Sequence, residues 1–212
     1  MDGAGSRGRG RRHRMNGLEM NGLDRGIWLN EPPAHALEHG VLDLTTGPST
    51  DFWRETHYGF TRDSGHHLGL DTSDGFTAQV RVRARFESLY DQAGLMVRLD
   101  AERWVKFGVE VSDGRAMAGS VVTDGRSDWA TGPFEGDASD FWLRVSLKAG
   151  VLRLQISPDG KRWPLLRLCP FPRAERYSVG PMACTPERGG LQVRFSHWSL
   201  QPHLGKDLHD LS

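Results

Sequence analysis

The chain has 212 residues, 37% of them hydrophobic and 25% charged, which suits one globular domain of the size that all-β folds commonly reach as a single unit. Its formal charge is zero, but the first fourteen residues carry five Arg against one Asp. The remainder, with 22 Lys and Arg against 26 Asp and Glu, is mildly acidic, which argues against a nucleic-acid surface; with no run of about 18 apolar residues, no membrane partner is expected either.

The opening stretch "MDGAGSRGRGRRHR" lacks an apolar segment of roughly 7 to 15 residues, so it is not a secretory signal and a cytoplasmic location is expected. Residues 1–20 read as a disordered basic extension, residues 21–203 as the folded domain and residues 204–212 as a tail. "HALEH" (35–39) matches a zinc-peptidase pattern that needs two His one helical turn apart. Pro32 and Pro33 precede it, Gly40 closes it and strand-like "VLDLTT" follows, so His35 and His39 read as surface positions on a short extended segment.

"DFWRETHYGF" (51–60) reads as a polar loop whose Trp53 either rims a site or plugs an end of the fold. His57, His66 and His67 form no motif, and Asp63, Asp71 and Asp74 lack calcium-loop spacing and read as turn formers. No metal and no cofactor are expected. "GFTAQVRVRARF" (75–86) then alternates strictly, with Phe76, Ala78, Val80, Val82, Ala84 and Phe86 on one face, as a half-buried antiparallel strand should.

"YDQAGLMVRLDAERWVKFGVEV" (90–111) reads as two strands joined by a short connection. Alternation puts Gln92, Gly94, Met96 and Arg98 on one face of the first strand, and Trp104, Lys106, Gly108 and Glu110 on one face of the second. Ala93, Leu95, Val97, Val105, Phe107 and Val109 face the other way and supply the packing. Pairing would bring Gln92 or Met96 beside Lys106 and Glu110, on a surface with two side-chain-free points and an indole, suited to a small polyhydroxylated ligand. The competing reading is a solvated face with one weak cross-strand ion pair.

Downstream, Asp128 and Trp129 in "GRSDWATGPF" sit in a loop-like segment that could rim the same face, and Arg144 points to the polar side of its strand and is a candidate to join it. "SLKAGVLRL" reads as a tight hairpin, and "SPDGKRW" as a turn in which Ser157 and Asp159 bond their own backbone. Cys169 and Cys184 read as two reduced thiols, with a disulfide between neighbouring strands as the alternative. No window has sustained helical spacing, and the roughly one dozen strand runs are too many for one flat sheet. Two packed antiparallel sheets of jelly-roll type are the simplest all-β arrangement.

"WLNEPP" (28–33), "DFWRETHYGF" (51–60), "YDQAGLMVRLDAERWVKFGVE" (90–110), "SVVTDGRSDW" (120–129), "SPDGKRW" (157–163) and "VGPMACTP" (179–186), in this order, resemble the regulation-of-enolase protein family, a concanavalin A-like family of largely unknown function. The resemblance implies a lectin/glucanase-type jelly-roll β-sandwich whose concave sheet carries the ligand site, with carbohydrate as the ligand class that the fold suggests. It implies no established reaction. Joined to the residue pattern, it leads to a small-molecule or carbohydrate ligand, with Trp104 stacking, Lys106, Glu110 and Gln92 making directional hydrogen bonds, and Trp53, Asp128 and Trp129 at the rim. An enzyme acting on such a ligand, with Glu110 as acid or base and Lys106 its partner, and a protein-interaction domain using the same face, are the alternatives.

Overall fold

Strict alternation of apolar and polar residues becomes strand throughout a computed structural model that describes residues 22–212; the basic extension assigned to residues 1–20 lies outside the described residues. After a single 3-10 turn (Leu23–Arg25) come β1 (Ile27–Leu29), β2 (Ala34–Glu38), β3 (Val41–Thr45), β4 (Phe52–Arg54), β5 (Thr61–Asp63) and β6 (His66–Thr72). There follow β7 (Phe76–Ala84), β8 (Gln92–Arg98), β9 (Arg103–Ser112), β10 (Arg115–Asp124) and β11 (Arg126–Pro133). The last five are β12 (Asp140–Lys148), β13 (Val151–Ser157), β14 (Leu165–Pro170), β15 (Tyr177–Cys184) and β16 (Gln192–Pro202).

One seven-stranded sheet runs β1-β6-β15-β8-β9-β10-β11 and a second β14-β13-β12-β7-β16-β3-β2, with every pairing antiparallel. The two sheets pack face to face as the expected β-sandwich. Between them lies the main core: Leu95, Val97, Val105, Phe107 and Val109 from the first sheet meet Val80, Val82, Leu143, Val145 and Leu154 from the second. Each of these side chains is removed from water, a change that stabilises the fold by roughly 1.5–3 kcal/mol apiece.

Local chemistry sets the chain reversals. Lys148 pairs with Val151 across Ala149 and Gly150, both at positive φ (54° and 80°), the two-residue turn whose twist matches a hairpin. Ser157 and Asp159 cap their own turn through the N–H groups of Gly160, Lys161 and Arg162, as expected. "HALEH" is extended, most of it in β2, and exposed at His35 and His39. The thiols are free and buried: Cys169 is on β14 in the second sheet and Cys184 on β15 in the first, so the alternative of a disulfide between neighbouring strands fails because the strands are not neighbours. No described helix is long and apolar enough to cross a membrane.

"DFWRETHYGF" is not simply a loop. Its first part forms β4, which pairs with β5 just beyond its end as a two-stranded ribbon lying in the segment 46–65 that connects β3 to β6. Arg98 on β8 grips Asp63 through two hydrogen bonds of 2.9 Å, and the side-chain amide of Asn30 donates to the carbonyls of Asp63 and Gly65. At the other strand, the Arg54 side chain donates to the Gly125 carbonyl and its backbone N–H to Ser127. These ties hold the ribbon over the outer face of the first sheet.

Candidate functional site

The β8–β9 pairing is the expected one, in the register that sets Gln92 opposite Glu110, Gly94 opposite Gly108, Met96 opposite Lys106 and Arg98 opposite Trp104. In β10, Gly119 lies opposite Gly108, which extends the bare strip to a third strand. A Cβ on Gly94 would come within 1.9 Å of the Phe107 carbonyl oxygen, and one on Gly119 within 3.0 Å of a Glu110 carboxylate oxygen. The strip therefore keeps the backbones close and leaves the Glu110 carboxylate its room.

The outer row is neither a second core nor a wet face but part of each. At one end Phe52 and Trp53 come down from the ribbon onto Met96, Trp104, Val121, Met182 and Cys184, making a small separate apolar cluster in which Trp104 is fully buried. At the other end the cluster stops, and a pocket of about 280 Å³ opens over Gln92, Lys106 and Glu110. Trp53, Tyr58, Phe60, Tyr90 and Trp129 form most of its wall, and Pro186 and Glu187 close it from the loop before β16.

Three ionisable groups occupy the floor. Lys106, 4% exposed, donates to Asp51 at 2.9 Å; Asp51 also accepts from the Phe52 N–H at 2.8 Å. Burial works against the ammonium, but Asp51, with Cys184 and Glu110 adding to it, more than offsets burial and the lysine pKa is raised, so Lys106 stays charged. Glu110, 8% exposed, accepts a short hydrogen bond from the Trp129 indole N–H. Burial lifts its carboxyl above the ordinary range, against the opposing pull of Lys106 and of that indole.

The walls are aromatic and interlocked. Trp53 meets Tyr58 at 72° and Trp129 at 89°, Tyr90 meets Trp129 at 73°, and centroid separations run from 5.7 to 6.4 Å. The Tyr58 and Tyr90 hydroxyls share a hydrogen bond of 3.0 Å, which pushes the Tyr90 phenol up to about 12, with burial and the nearby carboxylates adding to it. Tyr90 sits at φ 61°, a left-handed conformation uncommon for an aromatic residue. Its neighbour Asp91, fully buried, bonds the Glu87 and Ser88 N–H groups and the Arg188 guanidinium, and these contacts hold the bend that turns Tyr90 toward the pocket.

Of the residues singled out from sequence, Gln92, Lys106, Glu110, Trp53 and Trp129 converge on this pocket. Three do not. Trp104, read as an exposed stacking platform, is capped by Phe52 at a centroid distance of 6.0 Å. Asp128 lies in a strand rather than a loop, and since adjacent strand residues point to opposite faces, Trp129 enters the pocket while Asp128 turns away to Arg167 at 3.1 Å. Arg144 belongs to the second sheet, where its guanidinium stacks 3.8 Å from the Trp163 ring and donates to Gln79 and the Ser212 carbonyl.

Asp51, Tyr58, Phe60, Tyr90, Val121, Pro186 and Glu187 were not anticipated. Two of them carried a signal: Tyr90 continues the Gln92 row by two residues, and Asp51 shares the parity of Trp53. Val121 needs the β9–β10 register, and Pro186 and Glu187 need the whole fold. His66 and His67 are buried in β6, where His67 bonds Ser178 and the Pro181 carbonyl and burial lowers its pKa to about 4. Among the described residues no group of three or more His, Cys, Asp or Glu side chains is gathered as a metal site would be; Asp63 is taken by Arg98, and Asp74 by the N–H groups of Gly75 and Ala149.

Residues 28–203 match the family described as "Protein of unknown function (DUF1349)". The chain is 62% identical over 190 residues to Regulation of enolase protein 1 of Saccharomyces cerevisiae, a match that spans 90% of this chain and 96% of that one. It superposes with a TM-score of 0.85 and 61% identity on the crystal structure of a functionally unknown protein from Saccharomyces cerevisiae, over 86% of this chain and 99% of the other. A xylan β-1,4-xylosidase from Bacillus halodurans C-125 is similar in fold alone, with a TM-score of 0.55 at 16% identity over 88% of this chain and 41% of its own.

Proposed function

The chain belongs to the DUF1349 family of proteins of unknown function, and we propose that it binds a small polar ligand, a carbohydrate, in the pocket beneath residues 46–65. The observation that carries this reading is the pairing of unlike surfaces in one cavity: four mutually angled rings, Trp53, Tyr58, Tyr90 and Trp129, stand over a floor of Lys106, Asp51 and Glu110. Burying such charges is costly, and a sandwich seeking stability alone would do as well with apolar residues of similar volume. A sugar ring uses both surfaces, its C–H face against the indoles and its hydroxyls toward the carboxylates and amide. The sandwich of the xylosidase is consistent with this at the level of fold.

A second reading is favoured by the Glu110 carboxyl, which lines the pocket and which burial lifts above its ordinary range: chemistry on the same ligand, with Glu110 as acid or base. Thermal-shift titration of the full chain with mono- and oligosaccharides tests the binding reading. At least one sugar is expected to raise the wild-type Tm, and Trp129→Ala is expected to abolish that shift. If no sugar raises it, or if the shift survives Trp129→Ala unchanged, the pocket is not the site. Product analysis of the sugar that binds decides between binding and turnover.

A further inference from the structure

Resting on that reading, we propose that the ligand of this pocket carries a positively charged amine, so that among sugars the site selects an amino sugar over a neutral sugar or a sugar acid. The first argument is charge. Asp51, Glu110 and Glu187 line the pocket against one cation, Lys106. That cation is committed: it is 4% exposed and sits 2.9 Å from Asp51. Glu187 has no cation of its own in the pocket, Glu110 feels Lys106 only through space while the ammonium is bonded to Asp51, and the field a ligand meets is negative.

The second argument is the walls. Ring faces carry the negative side of the aromatic quadrupole and attract a cation within about 6 Å of the ring centre. Trp53 stands nearly perpendicular to both Tyr58 and Trp129, and Tyr90 nearly perpendicular to Trp129, so the rings box the cavity instead of lying in one plane as a simple stacking platform would. An ammonium gains from any ring face it meets in such a cavity, whereas a carboxylate ligand is repelled by such a face and by Glu110 together.

The third argument is what ligand entry does to Glu110. Among the described residues its carboxylate accepts one hydrogen bond, from Trp129, and any ligand that closes the pocket removes the water on its open side. A neutral sugar would leave this carboxylate more desolvated and no better paired. A ligand ammonium supplies the missing partner, and the cost of burial becomes selectivity for charge.

The test is calorimetric titration of the full chain with five probes: glucosamine, glucose, glucuronate, choline, and 3,3-dimethyl-1-butanol, the uncharged isostere of choline. Glucosamine is expected to bind about ten-fold tighter than glucose, the scale of one desolvated cation–ring contact, with glucuronate weakest and choline ahead of its isostere. Glu110→Gln, nearly isosteric, is expected to erase the preference, and Glu187→Gln at the exposed rim to reduce it; the second variant keeps the test open if the first fails to fold. Glucose binding as tightly as glucosamine, or glucuronate binding better, overturns the amine inference and leaves sugar binding intact. Choline binding with no sugar binding overturns the sugar reading and keeps the amine. Binding by none of the five overturns both.

Discussion

The two outer faces of the sandwich began from the same pattern and ended differently. Both carry buried polar side chains: Gln92, Lys106 and Glu110 on the first sheet, Thr77, Arg144, Ser146 and Gln155 on the second. On the second sheet the chain satisfies them itself. Thr77 and Ser146 bond each other, Gln155 donates to the Trp163 carbonyl, Arg144 stacks on Trp163 and reaches the Ser212 carbonyl, and Arg153 holds the carbonyls of Asp207, Leu208 and Asp210. On the first sheet the covering segment 46–65 seals the Trp104 end and stops short of Glu110. A buried polar group thus signals a site only where the chain's own backbone does not finish the job.

Three measurements put this contrast at risk. The largest effect is expected from Lys106→Met, which takes the cation from half-buried Asp51 and buried Glu110 and should cost about 3–5 kcal/mol in urea unfolding. A loss under about 1 kcal/mol would mean that the floor is hydrated and no different from an ordinary surface pair.

Next comes Gln155→Ala on the opposite face, expected to cost about 1–3 kcal/mol by stranding the buried Trp163 carbonyl. Because Gln155 lies on the face opposite the pocket, the ligand-induced Tm shift of the variant should equal that of the wild type. A changed shift would show that the two faces are coupled through the core.

The smallest effect concerns pH. The folded-state pKa of Glu110 is raised by burial, so between its ordinary value and that raised value the folded chain holds a proton that the unfolded chain has lost. Its contribution to stability is therefore full at low pH and declines as pH rises through that window. Glu110→Gln should flatten that decline in unfolding curves collected across it; an unchanged slope would place the Glu110 carboxylate in water.

The β8–β9 pair shows how much of this was legible. Its pairing, its inward apolar row and its outward polar row follow from period-2 alternation and a short connection, and Gln92, Lys106 and Glu110 follow with them, while the structure chose the register that sets Gln92 opposite Glu110 and Met96 opposite Lys106. Trp104 shows where that reasoning ends. Alternation assigned it correctly to the outer row, but whether an outer indole meets water, a ligand or another part of the chain depends on where a segment some fifty residues earlier lies, and Phe52 happens to lie on it. Asp128 failed for a different reason: Gly and Pro around it suppressed the strand signal in β11, and without the strand its parity relative to Trp129 was lost.

The all-β class, the two faces of each strand, the turns and the pairing that sets a carboxylate near an amine are legible in the chain alone, because they depend on neighbours along it and on a geometric period. It takes the folded molecule to bury the Glu110 carboxylate and bond it to an indole, to match Lys106 with Asp51, and to enclose the space above them with Tyr58, Phe60, Tyr90 and Glu187. Burial, pKa and enclosure are properties of what packs from elsewhere. The long connections that bring those residues together leave no periodicity in the chain from which to read them.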